Sequence, residues 1–318
     1  MCTAMVRRNM RHMLARTLDA SRDLSFEVLI VPRGMTVEFT DGSILREHGA
    51  AVGMGILKDG FPLFFDGMNE SGLAVAALNF PVYSKYFPPR VPFGSIASYE
   101  LIAKVLLTCD STAMARELLG SAVITDVPFS RELLPTSLHW IISDRVSSIT
   151  LEQTEDGLKI YDNTVGVLSN SPPFPYHVAR LSEVSGLSAK NPELPLFSES
   201  EYTSNGYGAY GLPGDFSSPS RFLRAAFFSR VGTRGEDEVA DVFHLMESVS
   251  IPRGAVISRD GREHHTIYTS CMDTERGVYY FHTGDNRSVR GVRMDARAEI
   301  LTEAVSIRAA QAASITYL

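Results

Sequence analysis

The chain has 318 residues, with 30 Lys and Arg against 37 Asp and Glu, and a formal net charge of −7. Its 44% hydrophobic and 21% charged residues are typical of a folded globular protein and exclude global disorder. The acidic balance argues against nucleic acid as a partner, because phosphate binding needs Lys and Arg gathered on one face. No run approaches 18 apolar residues, so neither a membrane-spanning helix nor a membrane partner is predicted.

The first twenty residues predict a β-hairpin, with one strand over residues 3–7, a turn near Asn9 and a returning strand over residues 12–17. The same segment carries four arginines and no acidic residue before Asp19, a composition that is also typical of an organelle transit peptide. Composition alone does not decide between the two interpretations.

Further along the chain, strands are bounded by Gly, Pro and Asp turn signals. Strands are predicted over residues 27–31, 37–39, 51–57, 61–65, 73–80, 139–144, 148–153, 158–162, 265–272, 277–282 and 289–294. Helices are predicted over 95–107, from an Asp110 cap through Leu119, from Ser218-Pro219 to Phe228, and over 236–248. Strands that outnumber helices without alternating with them favour an α+β fold. No linker divides the chain, so residues 1–318 are predicted to form a single domain.

Three cysteines occur, at positions 2, 109 and 271. A sparse, odd set is no disulfide framework and indicates a reducing compartment, so a cytoplasmic enzyme is expected. Cys109 and Cys271 are interpreted as small core residues.

Cys2 follows only Met1, and removal of Met1 leaves a thiol and a free α-amine on one residue. The ordinary pKa of an α-amine is about 7.7–8.0 and that of a thiol about 8.5, so both groups can exchange protons near neutral pH. One residue can then act as nucleophile and base. The alternative is a cysteine at position 2 without any function.

Other polar residues fit such chemistry. A guanidinium at Arg16 stabilises a neighbouring thiolate, and a carboxylate at Asp19 can orient an ammonium group. Asn79, Asn170 and Arg221 lie beside proline turns and are of the type that binds an oxyanion. Each also has an ordinary interpretation, as a surface ion pair or a turn residue.

Further candidates are weaker. His264, His265 and Cys271 lack zinc-ligand spacing, so no metal or cofactor is predicted. Asp144 and Glu152 imitate paired carboxylates but are expected to be solvated residues of a hairpin.

Taken together, these pieces resemble the choloylglycine hydrolase family of N-terminal nucleophile hydrolases, which contains conjugated bile salt hydrolases and penicillin V acylases. The matching segments run along nearly the whole chain: Met-Cys-Thr-Ala at 1–4, Arg-Thr-Leu-Asp at 16–19, Phe-Asp-Gly-Met-Asn-Glu-Ser-Gly-Leu at 65–73, Leu-Asn-Phe-Pro-Val-Tyr at 78–83, Leu-His-Trp-Ile-Ile-Ser-Asp at 138–144, Gly-Val-Leu-Ser-Asn-Ser-Pro at 166–172, Gly-Leu-Pro-Gly-Asp-Phe-Ser-Ser-Pro-Ser-Arg-Phe at 211–222 and Tyr-Thr-Ser-Cys-Met at 268–272.

This resemblance implies an αββα sandwich, two antiparallel sheets with helices on both outer faces. It also implies roles for single residues. Cys2 matches the nucleophile, Arg16 and Asp19 match the residues that tune the thiol and hold the α-amine, and Asn79 and Asn170 match the oxyanion pair. Arg221 matches the arginine that completes the polar network. A transit peptide is then excluded, because its removal would take the nucleophile with it.

The resemblance implies amide hydrolysis through a thioester on Cys2. Asn79 stands where bile salt hydrolases commonly have Asn and penicillin V acylases often have Tyr, which favours glycine- or taurine-conjugated bile salts. Leu18, Phe129 and Leu134 match positions that line an apolar steroid pocket, with core packing as the alternative. Penicillin V acylase, another N-acyl amidase and a catalytically silent binding protein remain alternatives, and the family suggests a homotetramer.

Overall fold

The computed structural model describes residues 1–21, 25–89, 94–192, 204–232, 235–294, 301–309 and 312. The strands in chain order are β1 Cys2–Arg8, β2 His12–Ala20, β3 Glu27–Val31, β4 Val37–Glu38, β5 Ile44–Leu45, β6 Ala51–Lys58, β7 Phe61–Asn69, β8 Ala74–Asn79, β9 Ser95–Ala97, β10 Val123–Thr125, β11 Leu138–Ser143, β12 Ser148–Thr154, β13 Gly157–Asp162, β14 Val167–Leu168, β15 Val256–Ile257, β16 Glu263–Asp273, β17 Val278–Thr283, β18 Arg290–Arg293 and β19 Val305–Arg308. The helices are α1 Leu101–Thr108, α2 Thr112–Gly120, α3 Phe174–Ala179, α4 Ser218–Val231 and α5 Glu238–Glu247.

Most strands belong to two large antiparallel sheets. The first has the order β14-β1-β2-β16-β17-β18, with β15 also paired to β16. The second has the order β13-β12-β11-β8-β7-β6-β3-β19. Strands β1 and β2 face β8 across the interface between the sheets, so the N-terminal hairpin forms part of the sandwich interior.

Helices cover the outer faces of both sheets. Helix α1 packs on β7 and β8, while α4 packs on β1 and α5 packs on β2 and β16. The alternation within β3 illustrates this arrangement. Val28 and Ile30 pack into the core between the two sheets, and Leu29 and Val31 pack into the core between the second sheet and α1. Because side chains alternate between faces and both faces are covered, the central strands contain almost only buried residues, whereas the edge strands β13, β18 and β19 also carry exposed ones. The predicted α+β class and αββα sandwich are confirmed.

The predicted hairpin is also confirmed, with β1 and β2 paired from Cys2 opposite Leu18 to Arg8 opposite His12. Several predicted boundaries are wrong. Residues 95–97 form β9, in parallel pairing with β10, and the helix begins only at Leu101. Strand β7 continues to Asn69 rather than ending at residue 65.

Two predicted helix caps are also wrong. Ser111, not Asp110, caps α2 by accepting a hydrogen bond from the Met114 N–H. Ser218 is the first residue of α4 and does not cap it, because its hydroxyl donates to the carbonyl oxygen of Asn170 at 2.8 Å. Ser218 therefore holds Asn170, a residue of the candidate site, instead of capping the helix. Within the part of the chain that the structure describes, no helix is long and apolar enough to cross a membrane.

Candidate active site

The candidate site is built around the start of β1. Cys2 lies directly opposite Leu18 of β2, and the Asp19 N–H donates to the carbonyl oxygen of Met1 at 2.8 Å. Strand β1 is flanked by β2 on one side and β14 on the other, so its first residues are held within the sheet. Cys2 is buried, with 5% of its surface exposed.

Arg16 lies beside the Cys2 thiol. Its Nη2 donates to Cys2 Sγ at 3.3 Å and to the Ala77 carbonyl oxygen at 2.9 Å. Burial raises the pKa of the Cys2 thiol, but the positive charges of Arg16 and the amino terminus outweigh burial, so the pKa lies below its ordinary value. The sequence-based pairing of Arg16 with the thiol is present in the geometry.

Asn170 and Arg221 hold the main chain of Cys2. The Cys2 N–H donates to Asn170 Oδ1 at 2.8 Å, and the same oxygen accepts from Arg221 Nη2 at 2.8 Å. Arg221 lies on α4, and its Nη1 donates to the Cys2 carbonyl oxygen at 2.6 Å. Burial lowers the pKa of the Arg221 guanidinium, with partial compensation from Asp19 and Cys2. The nitrogen of residue 2 therefore points into a fixed polar network.

Asp19 completes this network. Its Oδ1 accepts a hydrogen bond from the Thr266 hydroxyl at 2.6 Å, and its Oδ2 lies 3.9 Å from Arg221 Nη1. Thr266 is fixed in turn, because its hydroxyl accepts from the Ile251 N–H at 2.8 Å. The carboxylate is thus fixed near Cys2, whose thiol its charge affects, and its role in holding an ammonium group on residue 2 stays a prediction.

Asn79 ends β8 in the second sheet. Its main-chain carbonyl oxygen accepts from Asn170 Nδ2 at 2.7 Å, which brings the two asparagines together. Asn170 is held on its other side, where His177 Nε2 lies 2.8 Å from the Asn170 carbonyl oxygen. Burial lowers the pKa of His177 to about 4, so the ring is neutral at pH 7 and donates this hydrogen bond. The role of the two asparagines in binding an oxyanion stays a prediction.

The three residues predicted to line a steroid pocket have different surroundings. Leu18 is buried opposite Cys2. Phe129 packs against Tyr99 and Phe61, with ring centroids 5.2 Å and 6.2 Å away. Leu134 is 70% exposed on the segment between β10 and β11. Their role in substrate binding stays a prediction.

Sequence reasoning missed three residues that support Arg16. Asp66 Oδ2 accepts from Arg16 Nη1 at 2.8 Å, and the Asp66 carboxylate also accepts from the hydroxyls of Tyr268 and Tyr279. Asp66 and Tyr268 both lie inside segments that carry the family resemblance, which was the available signal. Tyr279 lies on β17, outside those segments, so no sequence signal identified it.

The prediction that Glu152 is solvated is wrong. Glu152 is fully buried and its Oε1 lies 3.0 Å from His139 Nδ1. Asp144 is also mostly buried, where it accepts hydrogen bonds from Thr112 and Ser147. Glu152 lies on β12, whose two faces are covered, and Asp144 lies at the end of β11, where its side chain turns inward while the next residues of the turn are exposed. Cys109 and Cys271 are buried core residues, as predicted.

A family model for linear amide C–N hydrolases of the choloylglycine hydrolase family matches residues 2–305. The chain belongs to the choloylglycine hydrolase family. It is 36% identical over 305 residues to a bile salt hydrolase/transferase of Clostridium perfringens, an alignment that covers 93% of each chain. It is 35% identical over 312 residues to a bile salt hydrolase/transferase of Lactiplantibacillus plantarum, covering 96% of each.

Solved structures of this family have the same architecture. A conjugated bile acid hydrolase from Clostridium perfringens superposes with a TM-score of 0.92 at 33% identity, and each chain is covered completely. A penicillin V acylase from Agrobacterium tumefaciens superposes with a TM-score of 0.76 at 21% identity, over 96% of this chain and 90% of the other. The second likeness concerns the fold alone.

Proposed function

We propose that this protein hydrolyses the amide bond of glycine- or taurine-conjugated bile acids, with Cys2 as the nucleophile. The observation that carries the proposal is the convergence on one residue: the thiol is 3.3 Å from Arg16 Nη2 and the main-chain nitrogen is 2.8 Å from Asn170 Oδ1. Nucleophile and base then belong to Cys2 once Met1 has been removed. The similar chains described as bile salt hydrolases support the choice of substrate.

In the first step, the Cys2 thiolate attacks the amide carbonyl carbon and an oxyanion forms. Amide N–H groups of Asn170 and Asn79 are proposed to stabilise that oxygen, a contribution worth about 10²–10³-fold in turnover for one donor. The tetrahedral intermediate collapses as the C–N bond breaks. The α-ammonium of Cys2, oriented by Asp19, gives its proton to the departing amine, which leaves a thioester.

In the second step, the neutral α-amine takes a proton from water, and the hydroxide attacks the thioester carbonyl. The C–S bond breaks, the bile acid leaves, and the thiolate is regenerated beside Arg16. Acid and base assistance of this type contributes roughly 10²–10⁴-fold. Each step uses a group already held in place by hydrogen bonds.

An apolar surface next to the two asparagines fits an acyl group with a large apolar body. Val82 is 92% exposed and Tyr83 41% exposed, just after Asn79 in the chain. The Ser171 hydroxyl donates to the Pro81 carbonyl oxygen at 2.7 Å, so this exposed segment is tied to the segment that carries Asn170. Exposed apolar residues beside a site are typical of binding surfaces.

A side-by-side rate assay tests the proposal. We expect glycine release from glycocholate and taurine release from taurocholate to be faster than phenoxyacetate release from penicillin V. Cys2→Ala lowers the rate by more than about 10³-fold, because the nucleophile is lost. Cys271→Ala is the matched control and keeps the activity, because that thiol is buried in the core. Faster cleavage of penicillin V, or an active Cys2→Ala protein, would refute the proposal.

The mass of the intact purified chain tests whether the amine is free. We expect the mass of a chain that begins at Cys2. A retained Met1 would block the proposed base and favour a catalytically silent binding protein.

The surroundings of the enzyme are part of the same proposal. Its three cysteines are free and buried, which supports a reducing compartment and hence the cytoplasm. A homotetramer is supported by family resemblance. Light scattering on the purified protein tests it, and the expected mass is four times that of one chain.

A further inference from the structure

Asp66 is a buried carboxylate that the proposed mechanism does not use. It lies on β7 in the second sheet, whereas Arg16 lies on β2 in the first. The pairing of β6 with β7 shifts register between Met54 and Gly55, immediately beside the Met54–Asp66 pair. Such bulges redirect side chains. Here the Asp66 carboxylate crosses the interface between the two sheets and reaches Arg16.

The Asp66 carboxylate accepts hydrogen bonds at both oxygens. Oδ2 accepts from Arg16 Nη1 at 2.8 Å and from the Tyr268 hydroxyl at 2.6 Å. Oδ1 accepts from the Tyr279 hydroxyl at 2.5 Å and from the Ser270 hydroxyl at 3.3 Å. Asp66, Ser270 and Tyr279 are completely buried, so the carboxylate interacts with these groups and not with water. One of the four donors, Arg16, carries a full positive charge, so it forms an ion pair with the carboxylate.

Arg16 is shared between two anionic partners. Its Nη1 points to Asp66, while its Nη2 points to Cys2 Sγ at 3.3 Å. Only 3% of the Arg16 side chain is exposed, so bulk water weakens neither interaction. A stronger hold by one partner therefore reduces what the guanidinium contributes to the other.

We propose that Asp66 is a positioning residue that competes with Cys2 for the Arg16 guanidinium and so limits how strongly the thiolate is stabilised. The inference rests on the proposed function only in taking Cys2 as the nucleophile. Other charged or titratable groups also act on the thiol or on Asp66, from each element packed against them: the amino terminus on β1, Asp19 on β2, Tyr268 on β16, Tyr279 on β17 and Arg221 on α4.

This competition matters because a thiolate that is stabilised too strongly reacts slowly. Thiolate nucleophilicity falls with the thiol pKa with a Brønsted coefficient of about 0.4–0.5. A further fall of one unit in the pKa of Cys2 therefore slows the attack of the thiolate roughly threefold. By holding part of the Arg16 guanidinium away from the thiolate, Asp66 preserves that reactivity.

Titration of the thiolate by its ultraviolet absorbance tests the proposal without any substrate. Each spectrum is taken as the difference between a variant and the same variant carrying Cys2→Ala, so that tyrosines and other cysteines cancel. In Asp66→Asn, Arg16 keeps its charge and loses its competing anion. We expect the titration midpoint of Cys2 to fall by about one unit. The kcat/KM on glycocholate, measured above both midpoints, should fall about threefold.

Tyr279→Phe provides a second variant with the opposite sign. Asp66 loses a neutral donor and binds Arg16 more tightly, so the midpoint of Cys2 should rise by a few tenths of a unit. This variant decides the question if Asp66→Asn does not fold. Asp273→Asn is the matched control, because Asp273 is a completely buried carboxylate paired with Arg11 at the far end of β16. Its loss should leave the midpoint unchanged.

The two proposals fail separately. An unchanged or raised midpoint in Asp66→Asn, an unchanged or lowered one in Tyr279→Phe, or an equal shift in Asp273→Asn would overturn the role of Asp66. Absence of bile salt hydrolysis in the native protein would refute the proposed function and leave the midpoints to be measured. Loss of folded protein alone, without a shifted midpoint in either variant, would show a purely structural role and refute the inference.

Discussion

Asn170→Ala removes three hydrogen bonds at the centre of the candidate site. Asn170 Oδ1 accepts from the Cys2 N–H and from Arg221 Nη2, both at 2.8 Å, and its Nδ2 donates to the Asn79 carbonyl oxygen at 2.7 Å. The bond to Asn79 is neutral and worth about 1 kcal/mol, whereas the bonds from Arg221 and from the α-ammonium of Cys2 are worth about 1.5–3 kcal/mol each. We therefore expect the free energy of unfolding to fall by about 4–7 kcal/mol.

The loss of activity has a separate origin. If Asn170 Nδ2 stabilises the oxyanion, its removal lowers kcat by about 10²–10³-fold, equivalent to about 2.7–4 kcal/mol of transition-state stabilisation. Amino-acid release from glycocholate at saturating substrate measures kcat. The urea dependence of circular dichroism measures the loss of stability and gives the folded fraction by which kcat is corrected.

Asn163→Ala is a matched control. Asn163 is equally buried, and its side chain makes three hydrogen bonds, with Thr150, Val167 and Gly166 at 2.8–2.9 Å. This variant should lose about 3 kcal/mol of stability and keep kcat within a factor of about three. If Asn170→Ala keeps near-native kcat, or if Asn163→Ala loses as much, Asn170 does not bind the oxyanion.

Three further variants test other parts of the arrangement. Thr266→Val removes the donor to Asp19 and should lower kcat/KM about tenfold, a loss of about 1.4 kcal/mol; unchanged steady-state kinetics would contradict an orienting role for that hydroxyl. The pKa of His177 is lowered to about 4 in the folded protein, so between about pH 6.5 and pH 4 this histidine is protonated in the unfolded chain but not in the folded one. Its contribution to the free energy of unfolding is therefore complete above pH 6.5 and is lost as the pH falls toward 4. His177→Gln should therefore reduce the slope of the free energy of unfolding, measured in urea between about pH 4 and pH 6.5, by up to about 1.4 kcal/mol per pH unit. An unchanged slope would refute this. Gly53→Ala should destabilise the protein by several kcal/mol, because its Cβ would lie 2.1 Å from the Asp66 carbonyl oxygen on the neighbouring strand β7. Gly214→Ala is its control: there is open space at Gly214, so the thermal midpoint should stay unchanged.

The sequence pattern predicts the parts of the fold that depend on residues close together in the chain. The hairpin of β1 and β2 follows from two apolar segments around a turn at Asn9, and its register brings Arg16 near Cys2. The sequence pattern predicts a helix over residues 95–97 because they continue into one. Each of these residues pairs with one 28 positions further along the chain, in β10, and a local sequence pattern does not contain such a contact.

The supporting residues of the site were hidden for the same reason. Asp66, Tyr268 and Tyr279 come from three different strands. Tyr268 reaches Arg16 because β16 pairs with β2, whereas Asp66, which also binds Tyr279, reaches Arg16 only through the packing of the two sheets. Glu152 was expected to be solvated because it lies in a hairpin, and a hairpin pattern does not tell whether both faces of its sheet are covered. Charge and polarity in the sequence identify candidates, whereas burial decides which of them interact strongly.

Cys2 belongs to one sheet, Asp66 and Asn79 belong to the other, and Arg221 belongs to an outer helix. A site assembled from three layers exists only while those layers remain stacked. Catalytic turnover therefore reports on the whole sandwich, and it should be lost together with the circular dichroism of the sheets as denaturant unfolds the protein. No excised fragment of one layer can therefore serve as a minimal enzyme.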